Sequence, residues 1–263
     1  MEDRSVLLQV DDRGAATVTL NRPQIHNAFD ETMVGALTDV FQEVSESNDI
    51  RVMVLQARGE SFCAGADLKY MQRLATATEV ENQRDAERFA KMMRTLYEIP
   101  HPTVALVQGA TYGGGVGLTA ACDIAVAVKY AIFALTETKL GLIPAVIGPY
   151  IVEAIGARQA RRYFLTAERF SGFDAQRIGL VHEVVSTDTA LQAQGEHIID
   201  QVLKTAPDAS AESKRLVRDI TGRPIDPELL AAMAKRIARA RALPEGREGM
   251  AAFLEHRKPK WVP

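Results

Sequence analysis

Through the first half of the chain, apolar residues come in short, β-branched runs separated by turn-forming residues. Val6 to Val10 and Ala15 to Leu20, with Asp-Asp-Arg-Gly between them, predict an N-terminal β-hairpin that Asn21-Arg22-Pro23 ends. The period then changes. Met33, Leu37, Val40, Phe41 and Val44 recur at helical spacing behind Asp30, a capping residue type, and Val52 to Leu55 follows as a buried strand. Together these make one βαβ-like step. Thr78 to Glu98 mixes charges with Phe89, Met92, Met93 and Leu96, the pattern of a long amphipathic helix, and Pro100 and Pro102 stop it before a strand at Thr103 to Val107.

Asp123 to Val128 predicts a further strand, and from Gly148 onward the pattern is mostly helical. Leu229, Met233 and Ile237 mark one late helix face, and Met250, Phe253 and Leu254 another. Strands early and helices late predict an α/β core over residues 1–206 and a helical region over 207–263. The boundary is soft, because PDAS and GRPIDP are turns rather than long linkers.

At 263 residues, 47% of them hydrophobic, the chain can bury a full core. Its net charge of −3 gives no overall attraction to nucleic acid or to an anionic membrane. The two cysteines, Cys63 and Cys122, show no paired spacing and Met1 to Leu8 is not a secretory segment, so a reduced, cytoplasmic protein is expected. No apolar run reaches the roughly 20 residues of a membrane helix.

Chemistry concentrates in three segments: Phe62 to Met71 (FCAGADLKYM), Gly109 to Gly117 (GATYGGGVG) and Phe133 to Ala145 (FALTETKLGLIPA). The first two place small residues where a strand gives way to a helix, so each can offer a backbone N–H, and two such donors on one oxygen form an oxyanion hole. Read alone, each loop is equally a tight turn. Glu137, in the third segment, has two readings: a solvated carboxylate beside Lys139, or a half-buried acid whose pKa is raised so that it exchanges protons near neutrality.

Competing schemes find less support. Gly115, Gly117 and Ala120 fit GxGxxA, but the next strand follows too soon for a dinucleotide unit and no acid closes it at Lys129. His26, His101, His182, His197 and His256 show no metal-ligand spacing, and there is neither a GxSxG elbow nor a GKS or GKT loop. The basic runs RQARR (158–162) and KRIARAR (235–241) read as solvated helix faces, with an RNA-binding or scaffold role as the alternative from another functional class.

With NRPQIHNAF after the hairpin and EGREGMAAFLEHRKPKW at the close, these motifs resemble the crotonase, or enoyl-CoA hydratase/isomerase, superfamily over nearly the whole chain. The resemblance implies a spiral of ββα units with a C-terminal helical trimerisation region, assembled as a trimer or dimer of trimers. The substrate would be an acyl-CoA, with no separate cofactor and no metal. By position, the Ala66 and Gly114 N–H groups would hold the thioester oxygen. Ala64, Asp67 and Leu68 would line the adenine and pantetheine path, Arg22 and Gln24 would lie near the CoA phosphates, and Phe253 and Lys260 would help cover the nucleotide on the same or a neighbouring subunit. Met71, Tyr112 and Gly117 would border the acyl pocket.

The ordinary hydratase of this family has two catalytic glutamates. Glu137 matches the second, and Gly117 stands where the first would be. The run ETKLGLIPAVIGPYIVEAIGARQARRYFLTAERF resembles bacterial methylglutaconyl-CoA hydratase-like members, which also carry glycine there. This implies hydration of a 2-enoyl-CoA by one carboxylate, in a pocket that glycine leaves roomier, with Δ3,Δ2-enoyl-CoA isomerisation as the alternative. A glutaconyl substrate would bring a second carboxylate, for which Lys69, Arg73 and the helix basic residues are candidate partners.

Overall fold

The hairpin forms as the pattern predicts. In a computed structural model that describes residues 4–262, β1 (Val6–Val10) pairs antiparallel with β2 (Ala15–Leu20), Val6 opposite Leu20. α1 (Glu31–Glu46) crosses over to β3 (Val52–Ala57), which lies parallel to β2, and the Asp30 carboxylate caps α1 by accepting from Met33 N at 2.8 Å. α2 (Leu68–Ala75) and α3 (Glu79–Glu98) lead to β4 (Thr103–Val107), parallel to β3. Thr78 opens α3 with a capping box closed by Glu81.

Past β4 the chain makes β5 (Ala110–Tyr112), α4 (Gly114–Ala121), β6 (Ile124–Val128) and β7 (Ile132–Ala134). α5 (Gly148–Thr166), β8 (Phe170–Ser171), α6 (Gly172–Ile178), β9 (Glu183–Val185) and α7 (Asp188–Leu203) follow, then α8 (Pro207–Ile220), α9 (Pro227–Ala242) and α10 (Pro244–Leu254). The strands form a six-stranded sheet, β1-β2-β3-β4-β6-β9, and a three-stranded sheet, β5-β7-β8.

The core lies between the large sheet and its helices, where Met33, Leu37 and Phe41 of α1 and Met92, Met93 and Leu96 of α3 are fully buried with Val54 and Leu55 of β3. The helical second half is interrupted by β8 and β9, and α5 breaks at Gly156 (φ 73°, ψ 154°). Two strands of the small sheet, β5 and β7, fall at two of the three segments singled out for their chemistry. Short strands of three residues carry too little periodicity to be read from pattern alone.

The strand expected from Asp123 begins at Ile124. The Asp123 carboxylate instead accepts from Thr103 N (2.8 Å) and Oγ1 (2.9 Å) and pairs with Lys214 Nζ at 2.7 Å, anchoring α8 against the start of β4. Among the described residues, no helix is long and apolar enough to cross a membrane.

Candidate active site

Three loop segments meet because the backbone stitches them together. Phe62 N donates to Gln108 O and Cys63 N to Ala110 O, while Tyr112 N returns a bond to Cys63 O at 2.8 Å. Ala110 to Tyr112 then pairs in parallel with Ile132 to Ala134, and Gly113 N donates to Ala134 O at 3.0 Å. FCAGAD, YGGG and FALTE are thus held side by side, and Glu137 opens a 3₁₀ turn immediately past β7.

The loop containing Ala66 is also fixed from its other side. Phe29 N donates to Gly65 O and Asp67 N to Phe29 O, both at 2.8 Å, a one-residue parallel bridge opposite Ala66. Ala64 N donates to His26 O at 3.0 Å. Among the described residues, the Ala66 N–H donates to no backbone carbonyl. Neither does the Gly114 N–H, at the first position of α4, where helical N–H groups have no intrahelical partner. Ala66 and Gly114 thus offer bonding-competent amides from two loops whose neighbouring Ala64, Asp67 and Gly113 amides are already engaged.

Glycine at 113 has a definite reason. Its φ of 50° and ψ of −113° lie where side-chain-bearing residues are strained, and a Cβ there would come 3.1 Å from Glu137 Oε1. A Cβ on Gly114 would meet Phe29 Cε2 at 2.7 Å and Phe89 Cζ at 2.9 Å. These two rings pack edge to face, centroids 5.5 Å apart, over the first turn of α4.

Glu137 is half-buried, its Oε2 atom is enclosed without a hydrogen-bond partner, and burial raises the pKa of the carboxyl from its ordinary value of 4.5. Of its two readings, the solvated surface carboxylate does not describe this group. Lys139 is exposed and forms no ion pair with Glu137. Cys63 lies in the same loops, but burial pushes its thiol up to about 12, so it is not a thiolate nucleophile at neutral pH.

The expectation of free volume at Gly117 is overturned. A Cβ there would lie 2.4 Å from Ile147 Cγ2, 2.9 Å from Ile147 Cβ and 3.4 Å from Met93 Cε. Gly117 N donates to Gly113 O, so the two glycines stack one turn apart on one helix face. Along that face the Glu137 carboxylate opposes the first and the Ile147 side chain the second. Where a second acid would stand, the site has a buried isoleucine.

A cleft of about 780 Å³ gathers Arg22, Gln24, Ala64, Ala66, Asp67 and Leu68. Asp67 caps α2, accepting from Lys69 N (2.8 Å) and Tyr70 N (3.2 Å). The Tyr70 hydroxyl donates to Asp85 and Arg73 pairs with Glu31 at 2.8 Å, so α2 is tied to α3 and α1. Met71 is half-buried on α2, and Tyr112 carries the Arg169 guanidinium 5.8 Å from its ring centroid. Phe253 and Lys260 are not in this cleft. The adjoining Trp261 carbonyl accepts from Arg51, ahead of β3, whereas the cleft lies past the opposite end of that strand.

Sequence reasoning assigned no role to Asn27 or Ile147. Asn27 is fully buried at φ 54°, accepts from Arg22 N at 2.8 Å and donates to Arg58 O and Ser61 O, both at 2.8 Å. Its place in NRPQIHNAF was a signal. For Ile147 there was none.

The enoyl-CoA hydratase/isomerase family matches residues 11–262. The chain belongs to that family. An enoyl-CoA hydratase from Shewanella pealeana is 40% identical, with a TM-score of 0.95 over 99% of this chain and 97% of that one. Pseudomonas aeruginosa AtuE is 38% identical, with a TM-score of 0.93 over 98% and 100%. The human enoyl-CoA hydratase domain-containing protein 2, mitochondrial, is 32% identical over 95% of this chain and 86% of its own. Family membership implies a CoA-thioester substrate and an α/β fold of this kind. RQARR lies on α5, where Arg162 pairs with Glu168 at 2.6 Å.

Proposed function

We propose that the protein adds water across the double bond of a 2-enoyl-CoA, using Glu137 as its one acid–base group. The observation that carries this reading is the enclosed, unpartnered Glu137 Oε2, with its raised pKa, beside the loops that leave the Ala66 and Gly114 amides free. The thioester oxygen would accept from those two amides, which gain most when charge develops on it. Each such donor is worth roughly 2.7–4 kcal/mol in the transition state.

Glu137 as carboxylate takes a proton from water while the water oxygen bonds to C3. The C2–C3 electron pair moves into the thioester enolate. The protonated Glu137 then returns its proton to C2, leaving a 3-hydroxyacyl-CoA and the carboxylate regenerated. Branched glutaconyl-CoA, such as 3-methylglutaconyl-CoA, is the proposed substrate class, since its own carboxylate supplies a polar group that the Ile147 side of the site lacks.

Ile147 also favours a second reading. With one carboxylate against an apolar wall, a proton could shuttle between the α and γ carbons with no water, which is Δ3,Δ2-enoyl-CoA isomerisation. A panel of enoyl-CoA esters with product mass decides between them: hydration adds the mass of water and isomerisation adds nothing. A cytoplasmic trimer or dimer of trimers is part of the same proposal, supported by exposed Leu230, Ile237, Phe253 and Leu254 on α9 and α10. In that assembly Phe253 and Lys260 would reach a neighbour's cleft.

A further inference from the structure

Arg22 stands in the cleft, yet its guanidinium is already engaged. Nη1 lies 2.7 Å from Asp30 Oδ2 and donates to Ala28 O at 3.1 Å, and Nη2 lies 4.0 Å from Asp67 Oδ2. The side chains are largely enclosed, at 19% exposure for Arg22, 27% for Asp30 and 17% for Asp67. A phosphate approaching this guanidinium would meet two carboxylates first.

What those partners do is more telling. Asp30 is the N-cap of α1 and Asp67 the N-cap of α2. Between Ala28 and Asp30 lies Phe29, whose N–H and carbonyl make the two 2.8 Å bonds that bracket Ala66. The guanidinium therefore holds the Ala28 carbonyl and the Asp30 carboxylate on either side of Phe29, with a longer ion pair to the Asp67 cap of α2. Ala66 is the residue of this bridge whose own N–H is left free.

We propose that Arg22 is a positioning residue for the Ala66 amide, acting through the Phe29 bridge, and is not a ligand of the substrate's phosphates. This rests on the reading of Ala66 as an oxyanion donor. The Asp30–Arg22–Asp67 group holds the two loop ends that aim the amide, and a donor displaced by a fraction of an ångström loses its grip on the developing oxyanion while the cleft still binds CoA.

The test compares Arg22→Met and Arg22→Lys with wild type on two substrates, an enoyl-CoA and the same enoyl group on N-acetylcysteamine, which has the thioester and no phosphate. Misplacing an oxyanion donor predicts that Arg22→Met lowers kcat by ~10- to 100-fold on both substrates, with KM for the CoA ester within about twofold of wild type. Arg22→Lys, which keeps the charge without the fork, is expected to recover part of kcat.

A raised KM confined to the CoA ester would make Arg22 a phosphate ligand and overturn the proposal, as would an unchanged kcat. If Arg22→Met does not fold, Asp30→Asn carries the same comparison, because asparagine still caps α1 while the charge facing Arg22 is gone. Loss of kcat on both substrates is again expected, and an unchanged kcat again refutes. Wild-type turnover and its loss in Glu137→Gln, measured first, test the underlying assignment separately: no wild-type turnover of any enoyl thioester sinks both, whereas normal Arg22→Met kinetics sink this one alone.

Discussion

Replacing Gly117 by alanine isolates the contact that defines the one-carboxylate site. The added methyl would stand 2.4 and 2.9 Å from two Ile147 carbons, where carbon pairs rest at about 3.5–4.0 Å, so one element must move by about an ångström. Overpacking of this kind costs roughly 1–3 kcal/mol. Against it, Gly→Ala inside a helix gains about 0.8–1 kcal/mol.

Gly35 on α1 supplies the control: nothing lies within 4 Å of its Cβ position, so Gly35→Ala should show the propensity gain alone. The difference between the two variants is then the overpacking cost, read at roughly 2–4 °C of Tm per kcal/mol for a domain near this size. Ile147→Ala removes the Cγ2 methyl at 2.4 Å and by itself costs about 2–5 kcal/mol. In the Gly117→Ala/Ile147→Ala double variant the new methyl enters the space just vacated. The double variant should therefore be more stable than the sum of the singles by about 1–3 kcal/mol. Thermal and urea unfolding of the five proteins measure this, and additive effects, or a Gly117→Ala variant as stable as Gly35→Ala, would show that the glycine face is not closed by Ile147.

Glu137→Gln should lower kcat by about 10²–10⁴ with little change in CoA-ester affinity. Burial raises the Glu137 pKa in the folded chain, so the folded state binds that proton more tightly and stability falls as pH rises from the ordinary carboxylate value through the raised one. Glu137→Gln should accordingly raise Tm at neutral pH and not at pH below the ordinary value; a uniform shift across pH would refute the cause. Gly114→Pro removes the donor, whereas Gly114→Ala keeps it and only presses on Phe29 and Phe89, so a folded Gly114→Pro protein with the kcat of Gly114→Ala would move the oxyanion site elsewhere. Asn27→Ala strands the buried Ser61 carbonyl, and removes the partners of the half-buried Arg58 carbonyl and Arg22 N–H, and should cost about 1–3 kcal/mol in urea unfolding. For 3-methylglutaconyl-CoA, kcat/KM should exceed that for crotonyl-CoA by about tenfold, roughly 1.4 kcal/mol, and equal values would refute the branched-substrate assignment.

The strands and helices of the large sheet were legible because each announces itself locally: β2 and β4 as buried β-branched runs, α1 and α3 as 3.6-residue periods opened by Asp30 and Thr78. The site was legible as far as it is made of sequence-local loops. The glycine runs and Glu137 are visible as residue types, and the family resemblance supplied their roles. What stayed hidden depends on contacts between distant segments. Gly117 reads the same in sequence whether its missing side chain leaves a void or yields to Ile147, because the isoleucine arrives from the start of α5. The basic character of Arg22 is equally plain in sequence, but whether that charge faces solvent or two carboxylates depends on Asp30 and Asp67, brought to it by separate helices. Charge and volume are properties of residues; availability is a property of packing, and at Gly117 and Arg22 the packing decides the chemistry.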